Sequence, residues 1–390
     1  MISIKLTEEG YDDRRNQLSI DTSGVDSVRS IVSSSRVQMP AWSLLDFVLL
    51  SMKVTKIGAM SSSWPELKAS SRLDLIERDT RTTILAVPTK MNYVTKGTTH
   101  PHTKRDETGS DSTVEGVEWQ QEEVIIHNGR SDSQTYSIDD NGFELMTSQL
   151  NDDIHFYNQT DVLDRYYPHC ETLLTRKFGS NVKVIAFDHN LRSNGSRRNL
   201  DNSNAMVQNP LGIVHADYTR ISAPRRLYQL SLAPKTNDVR KNLGILLDPK
   251  LAEECLQGRQ RFVFCNVWRN IKESPVEQLH LACIDAKSVH WRELRTFKIH
   301  YVDRTGENYF ACPSKSHKWV YFPQMHKSEA LLLKQWDSYG DLAQGKELDD
   351  HVATFAVHSA FVDPTSSEDL TRESIEVRCV AIWPSNEEVK

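Results

Sequence analysis

Between residues 211 and 382 the chain carries seven short runs rich in Val, Ile, Phe, Tyr and Trp, at 211–215, 261–268, 279–284, 296–302, 319–322, 354–357 and 374–382. Runs of this length and composition read as β-strands. Only two helical interludes separate them, at 249–257 and 328–338. Regular strand-helix alternation is missing, which excludes a doubly wound parallel sheet. Many strands with long connections predict instead a mainly β fold, a barrel or sandwich dressed with flanking helices.

The first half of the chain is less regular. Residues 1–80 are rich in Ser and charge, show no sustained period of two or 3.6, and predict a poorly ordered arm. Met39, Met52 and Met60 each offer an alternative start, so part of the arm need not belong to the natural protein. From Thr83 the texture changes: 84–87 and 124–126 read as strands on either side of a polar loop at 98–115. Residues 160–176 read as a helix capped by Thr160 or Asp161, 181–187 as a strand, and 190–209 as turn-rich. Residues 83–390 are therefore expected to form one domain.

The balance of 47 Lys and Arg against 53 Asp and Glu gives a net charge of -6, with the basic residues scattered, which argues against a nucleic-acid partner. Residues 43–52, with Asp46 inside them, fall well short of the roughly 20 apolar residues of a spanning helix, so no membrane association is expected. Six separated cysteines form no CxxC pair, which fits a reducing compartment and leads to an expected cytoplasmic location. There is no Gly-rich phosphate cradle and no GxSxG elbow, so nucleotide and hydrolase chemistry have no carrier.

Chemistry concentrates in two places. In Val214-His215-Ala216-Asp217, residues two apart on a strand share a face, so His215 and Asp217 can grip one ion. By itself a His-x-Asp in a chain with 14 histidines carries little weight. Near the C-terminus His358 ends an apolar run, and Arg372 and Ser374 open the next strand. Two histidines and one carboxylate make a facial triad for iron(II) that leaves positions for an oxoacid and dioxygen. Arg372 can pair bidentately with the distal carboxylate of 2-oxoglutarate, with Ser374 on the same strand face. Arg378 is a second, weaker anchor. His100 and His102 sit in the polar loop and read as solvated. His169 and Glu171 diverge on the expected helix and read as structural.

These motifs resemble the aspergillic-acid hydroxylase/desaturase-like oxygenases of fungi, related to gibberellin desaturase-like and novofumigatonin endoperoxidase-like proteins. The resemblance runs from about Thr83 to Trp383. It is carried by Phe187-Asp188-His189, Val214-His215-Ala216-Asp217, Phe264-Cys265-Asn266-Val267-Trp268-Arg269, Cys283-Ile284-Asp285-Ala286-Lys287-Ser288, His317-Lys318-Trp319-Val320-Tyr321-Phe322-Pro323, His358-Ser359-Ala360-Phe361-Val362-Asp363-Pro364 and Arg372-Glu373-Ser374-Ile375-Glu376-Val377-Arg378. It implies a distorted double-stranded β-helix, iron held by His215, Asp217 and His358, and 2-oxoglutarate held by Arg372 and Ser374. It also implies a substrate pocket drawn from Asn266, Trp268, Arg269, Tyr321 and Phe361. Ser359, where the family more often has Thr, and Asn270, where a proline is usual, depart from the pattern and bear on pocket shape.

The activity so implied is oxidation of an unactivated C–H bond of a small natural product, with dioxygen as co-substrate and succinate and carbon dioxide as by-products. Hydroxylation, desaturation and ring formation all stay open, as does the oligomeric state. Halogenation is disfavoured because Asp217 fills the position a halide needs. Three rivals stand beside this reading: an iron oxidase that uses no oxoacid, a barrel that only binds a small molecule, and, last, a nucleic-acid-modifying oxygenase, which the acidic balance disfavours.

Overall fold

The computed structural model describes residues 85–383, apart from 106–113, 132–133, 151–152, 196–206, 236–237, 303 and 347–351. The expected N-terminal arm, its alternative starts and residues 43–52 lie outside the described residues. Arg72–Lys390 forms one compact unit.

The architecture is a double-stranded β-helix: two sheets packed face to face, with helices on the outside. One sheet has nine strands in the order β1 (Ala86–Val94), β3 (Trp119–Asn128), β11 (Trp319–Tyr321), β8 (Leu281–Ile284), β13 (Val357–Ala360), β6 (His215–Ala216), β10 (Thr305–Ala311), β9 (Leu294–His300) and β2 (His102–Lys104). The other has five, in the order β4 (Phe143–Thr147), β12 (Glu329–Asp337), β7 (Phe262–Asn270), β14 (Glu373–Ile382) and β5 (Lys183–Ser193). The nine-stranded sheet curls, bringing β1 beside β6, where the Val214 amide donates to the Asn92 carbonyl at 3.0 Å.

Alternation along β14 sets the two faces of the five-stranded sheet. Ile375, Val377, Cys379 and Ala381 point outward and pack in one cluster with Tyr167, Cys170, Leu173 and Leu174 of α1 (Tyr167–Phe178). Arg372, Ser374, Glu376 and Arg378 occupy the alternate positions, toward the facing sheet. A π-helical turn (Val162–Tyr166) leads into α1, and the helical stretch is capped earlier than expected, by Asn158, whose side chain accepts from the amides of Thr160 and Asp161. Two further helices, α2 (Ser222–Leu230) and α3 (Pro249–Leu256), contribute Ala223, Leu227, Leu251 and Ala252 to the largest apolar cluster.

Several expectations need correction. Residues 328–338 form no helix: β12 lies between β4 and β7. Its Ala-Leu-Leu-Leu-Lys-Gln-Trp run has helix-forming residues, but both faces are buried, so the alternation that marks a strand is absent and tertiary pairing decides. The strand expected at 354–357 starts at Val357 and so includes His358. The strand expected at 181–187 runs on to Ser193, taking four residues from the stretch read as turns. Strands β4 and β10 and helix α2 had no distinct signal.

Candidate metal centre

His215 and His358 come together through strand pairing. β6 and β13 are antiparallel with His215 opposite His358, so both rings leave the same face of the sheet, their centroids 4.4 Å apart. Each ring is aimed the same way. His215 Nδ1 lies 2.7 Å from the Ile213 carbonyl oxygen and His358 Nδ1 lies 3.0 Å from that of Ala356. A carbonyl accepts only, so each Nδ1 carries the proton and each Nε2 keeps a free lone pair for a metal. Asp217 follows β6 directly, with Oδ1 at 3.5 Å from His215 Nε2. One ligand atom from each of His215, Asp217 and His358 lies within 4.8 Å of the other two, the only such group of three among the described residues.

Electrostatics favours the ligand forms. Burial, then the adjacent His215, lowers the His358 pKa to about 4, so the ring is neutral at physiological pH. Burial works to raise that of Asp217, but contact with His215 and the Arg378 cation outweigh it and hold the carboxyl well below its ordinary range. Asn266 orients the carboxylate: its Nδ2 donates to Asp217 Oδ2 at 3.1 Å and to Glu376 Oε1 at 2.9 Å. Gln335, on the irregular step of β12, accepts from the Asp217 amide at 3.4 Å.

Arg372 is 2% exposed, at the foot of β14. Its Nε donates to Ser374 Oγ at 3.2 Å, Nη1 donates to the Leu279 carbonyl, and the guanidinium lies 5.2 Å from the centre of the Trp268 ring. It joins no salt bridge with any described residue. Burial, then the nearby Arg192, lowers its pKa to about 9. A buried guanidinium without a counter-ion is costly unless a ligand carboxylate completes it. Arg378, the second anchor weighed from sequence, is committed elsewhere, to Asp188 at 2.8 Å.

The expected pocket residues divide. Asn266 and Trp268 stand on the inner face of β7, one beside Asp217 and the other under Arg372. Arg269 turns the opposite way, toward the helical layer. It is fully buried, donating to Tyr166 Oη, to the Ser148 carbonyl and hydroxyl, and to the Lys327 carbonyl. Tyr321 shares its register row with Ala282 and Ser359, whereas Val320 shares that of Cys283 and His358. Tyr321 therefore stands on the far face of its sheet from His358, packed on Phe361 at 5.3 Å and His280 at 5.2 Å. His102, read as a solvated loop residue, lies on β2 with Glu115 at 3.5 Å. His169 lies against Arg269 and Ser148, a structural place as expected. Sequence reasoning did not single out Glu376, Gln335 or Arg192. Strand parity with Ser374 would have found Glu376; the others had no signal.

A family described as an oxidoreductase/YMDC permease-like domain matches residues 91–382. The chain is 25% identical over 275 residues to the hydroxylase/desaturase efuI of Hormonema carpetanum, covering 68% of this chain and 84% of that protein. It is 27% identical over 257 residues to the alpha-ketoglutarate-dependent dioxygenase phiK of a fungal species, covering 64% and 81%. Among solved structures, the iron and alpha-ketoglutarate-dependent endoperoxidase NvfI superposes with a TM-score of 0.58 at 19% identity, covering 76% of this chain and 98% of that one. That likeness establishes the fold.

Proposed function

We propose, from a chain that belongs to the oxidoreductase/YMDC permease-like domain family and among its hydroxylase/desaturase-like relatives, that this protein is a non-haem iron(II)/2-oxoglutarate-dependent oxygenase acting on a small molecule. The observation that carries the reading is a two-histidine, one-carboxylate cluster on one sheet together with a buried Arg372, without a salt bridge to any described residue, on the inner face of the sheet opposite.

In this reading His215, Asp217 and His358 hold iron(II), with Ile213 and Ala356 fixing the two imidazoles and Asn266 fixing the carboxylate. Arg372 and Ser374 receive the distal carboxylate of 2-oxoglutarate, and Trp268 walls that end of the site. When bound, the iron, the oxoacid and dioxygen together supply the oxidation of a substrate C–H bond, the oxoacid leaving as succinate and carbon dioxide. The chain's part is to place the C–H bond and to exclude water. Hydroxylation, desaturation and ring closure are all outcomes of such placement, in secondary-metabolite biosynthesis. We read residues 83–390 as the catalytic domain and the cytoplasm as its compartment. Six buried free cysteines are consistent with that, and no helix among the described residues is long and apolar enough to cross a membrane.

The test is anaerobic addition of iron(II) and 2-oxoglutarate, read by the visible charge-transfer band of the chelate, followed by aerobic succinate release with a panel of small metabolites. The expected result is a band in the wild type, no band in His358→Ala, and about hundredfold weaker oxoacid binding in Arg372→Ala. Metal binding without a band, and no succinate with any substrate, would instead indicate an iron oxidase independent of oxoacid.

A further inference from the structure

Among the described residues, Arg372 is one of two cations near the candidate metal site that join no salt bridge. The other is Arg192. It stands on β5 opposite Ser374 on β14, so both side chains leave the same face of the sheet. Along the same two strands Glu376 faces Asn190 and Arg378 faces Asp188. Arg378 is satisfied there, with Asp188 at 2.8 Å, Asp217 at 3.8 Å and Glu376 at 4.0 Å. Arg192 is not: its side chain donates to the Asn209 carbonyl at 2.8 Å and joins no salt bridge with any described residue. Burial lowers its pKa, with Glu376 opposing, and the register opposite Ser374 turns it toward the same interior.

Charge accounting isolates Arg192 once the proposed ligands are seated. Asp217 and the chelating carboxylate of the oxoacid offset a divalent ion, the distal carboxylate offsets Arg372, and Asp188 offsets Arg378. Glu376 is not paired with Arg192: its carboxylate accepts from Asn266 Nδ2 at 2.9 Å and lies 4.0 Å from Arg378. A guanidinium left over beside a reaction centre presents a planar fork of donors suited to a carboxylate. We infer that Arg192 anchors an acidic group of the substrate, so that the oxidised molecule is a small organic acid held by its carboxylate or an isosteric anion. This rests on the oxygenase reading above.

The experiment uses the full chain loaded anaerobically with iron(II) and 2-oxoglutarate, titrated calorimetrically with phenylacetate and octanoate and with their neutral amides. The expected result is about tenfold or greater preference for the acids in the wild type, from one charge-assisted pair. That preference should be lost in Arg192→Met and partly kept in Arg192→Lys, while the charge-transfer band reports unchanged oxoacid affinity in both variants. No preference in the wild type, or one that survives in Arg192→Met, overturns the inference. Weakened oxoacid binding in Arg192→Met also overturns it, by assigning Arg192 to the cofactor. Failure of the wild type to give the band at all is a different outcome and sinks the oxygenase reading itself.

Discussion

Asn266 serves two carboxylates from one amide nitrogen, and it reaches the metal cluster only through Asp217. Asn266→Ala is expected to lower metal affinity by about tenfold to hundredfold, measured by competition with a chelator. Arg269, one strand position from Trp268 but facing away, gives the opposite pattern. Arg269→Met takes this donor from four acceptors, of which the Ser148 hydroxyl keeps His169 as a partner, and should cost about 3 kcal/mol in a denaturant titration while metal affinity stays unchanged. The contrast shows which residues were legible in the sequence. His215, Asp217, His358, Arg372 and Ser374 could be singled out because the metal and oxoacid chemistry proposed for them restricts residue type and spacing; the structure brings the first three together and joins Arg372 to Ser374. Arg269 and Tyr321 were not placed correctly: β7 and β11 are buried on both faces, so no polar alternation marks which side points inward.

At the scale of elements the same blindness explains β12. A strand in the middle of a sheet, covered above and below, reads as a plain apolar run, and Leu-rich runs favour helix by propensity. Its burial is nonetheless testable. Leu332 is fully buried in the cluster that includes α1, so Leu332→Ala should cost about 2–5 kcal/mol. Glu329→Ala at the strand's start, which removes a half-buried bidentate pair with Arg130 at 2.7 and 2.8 Å and the acceptor of the His326 amide, should cost about 1–3 kcal/mol. Helix α3 was legible to within a residue because its signals are local: Pro249 at the start and Asp248 accepting from the Leu251 amide at 3.0 Å. Strands whose identity depends on distant partners, such as β4 and β10, carry no comparable local mark.

For the whole molecule, acid should act in two stages. Burial, aided by Arg269, lowers the His169 pKa to about 4, so the folded state prefers the neutral ring more than the unfolded chain does. That stability is complete above pH 6.5 and is lost as pH falls toward 4. Glu293 follows lower down. Burial raises its pKa, but the hydrogen bond with His317 at 3.0 Å prevails and holds it at about 2. Its contribution is present above about pH 4.5 and is lost as pH falls toward 2. His317 also meets the Tyr93 hydroxyl at 3.0 Å, and Trp319 Nε1 donates to that hydroxyl at 2.9 Å, so the lower stage loosens the tie between β1 and β11. Melting temperature measured against pH should fall in both windows, with His169→Gln making the upper one shallower without abolishing it, since His280 and His358 titrate over the same range, and Glu293→Gln flattening the lower.

β6 is two residues long, and its pairing with β13 consists of the single register pair His215 and His358. A cation held by both rings, as proposed above, would act as a cross-link that closes a long loop of chain, as a disulfide would, except that a chelator could undo it. The reaction centre and the seam between these strands then share one fastening. Stripping the metal should speed amide hydrogen exchange at Ala216 and Ser359 while leaving the middle of β14 protected, so that the protein's durability in the cell tracks its iron supply.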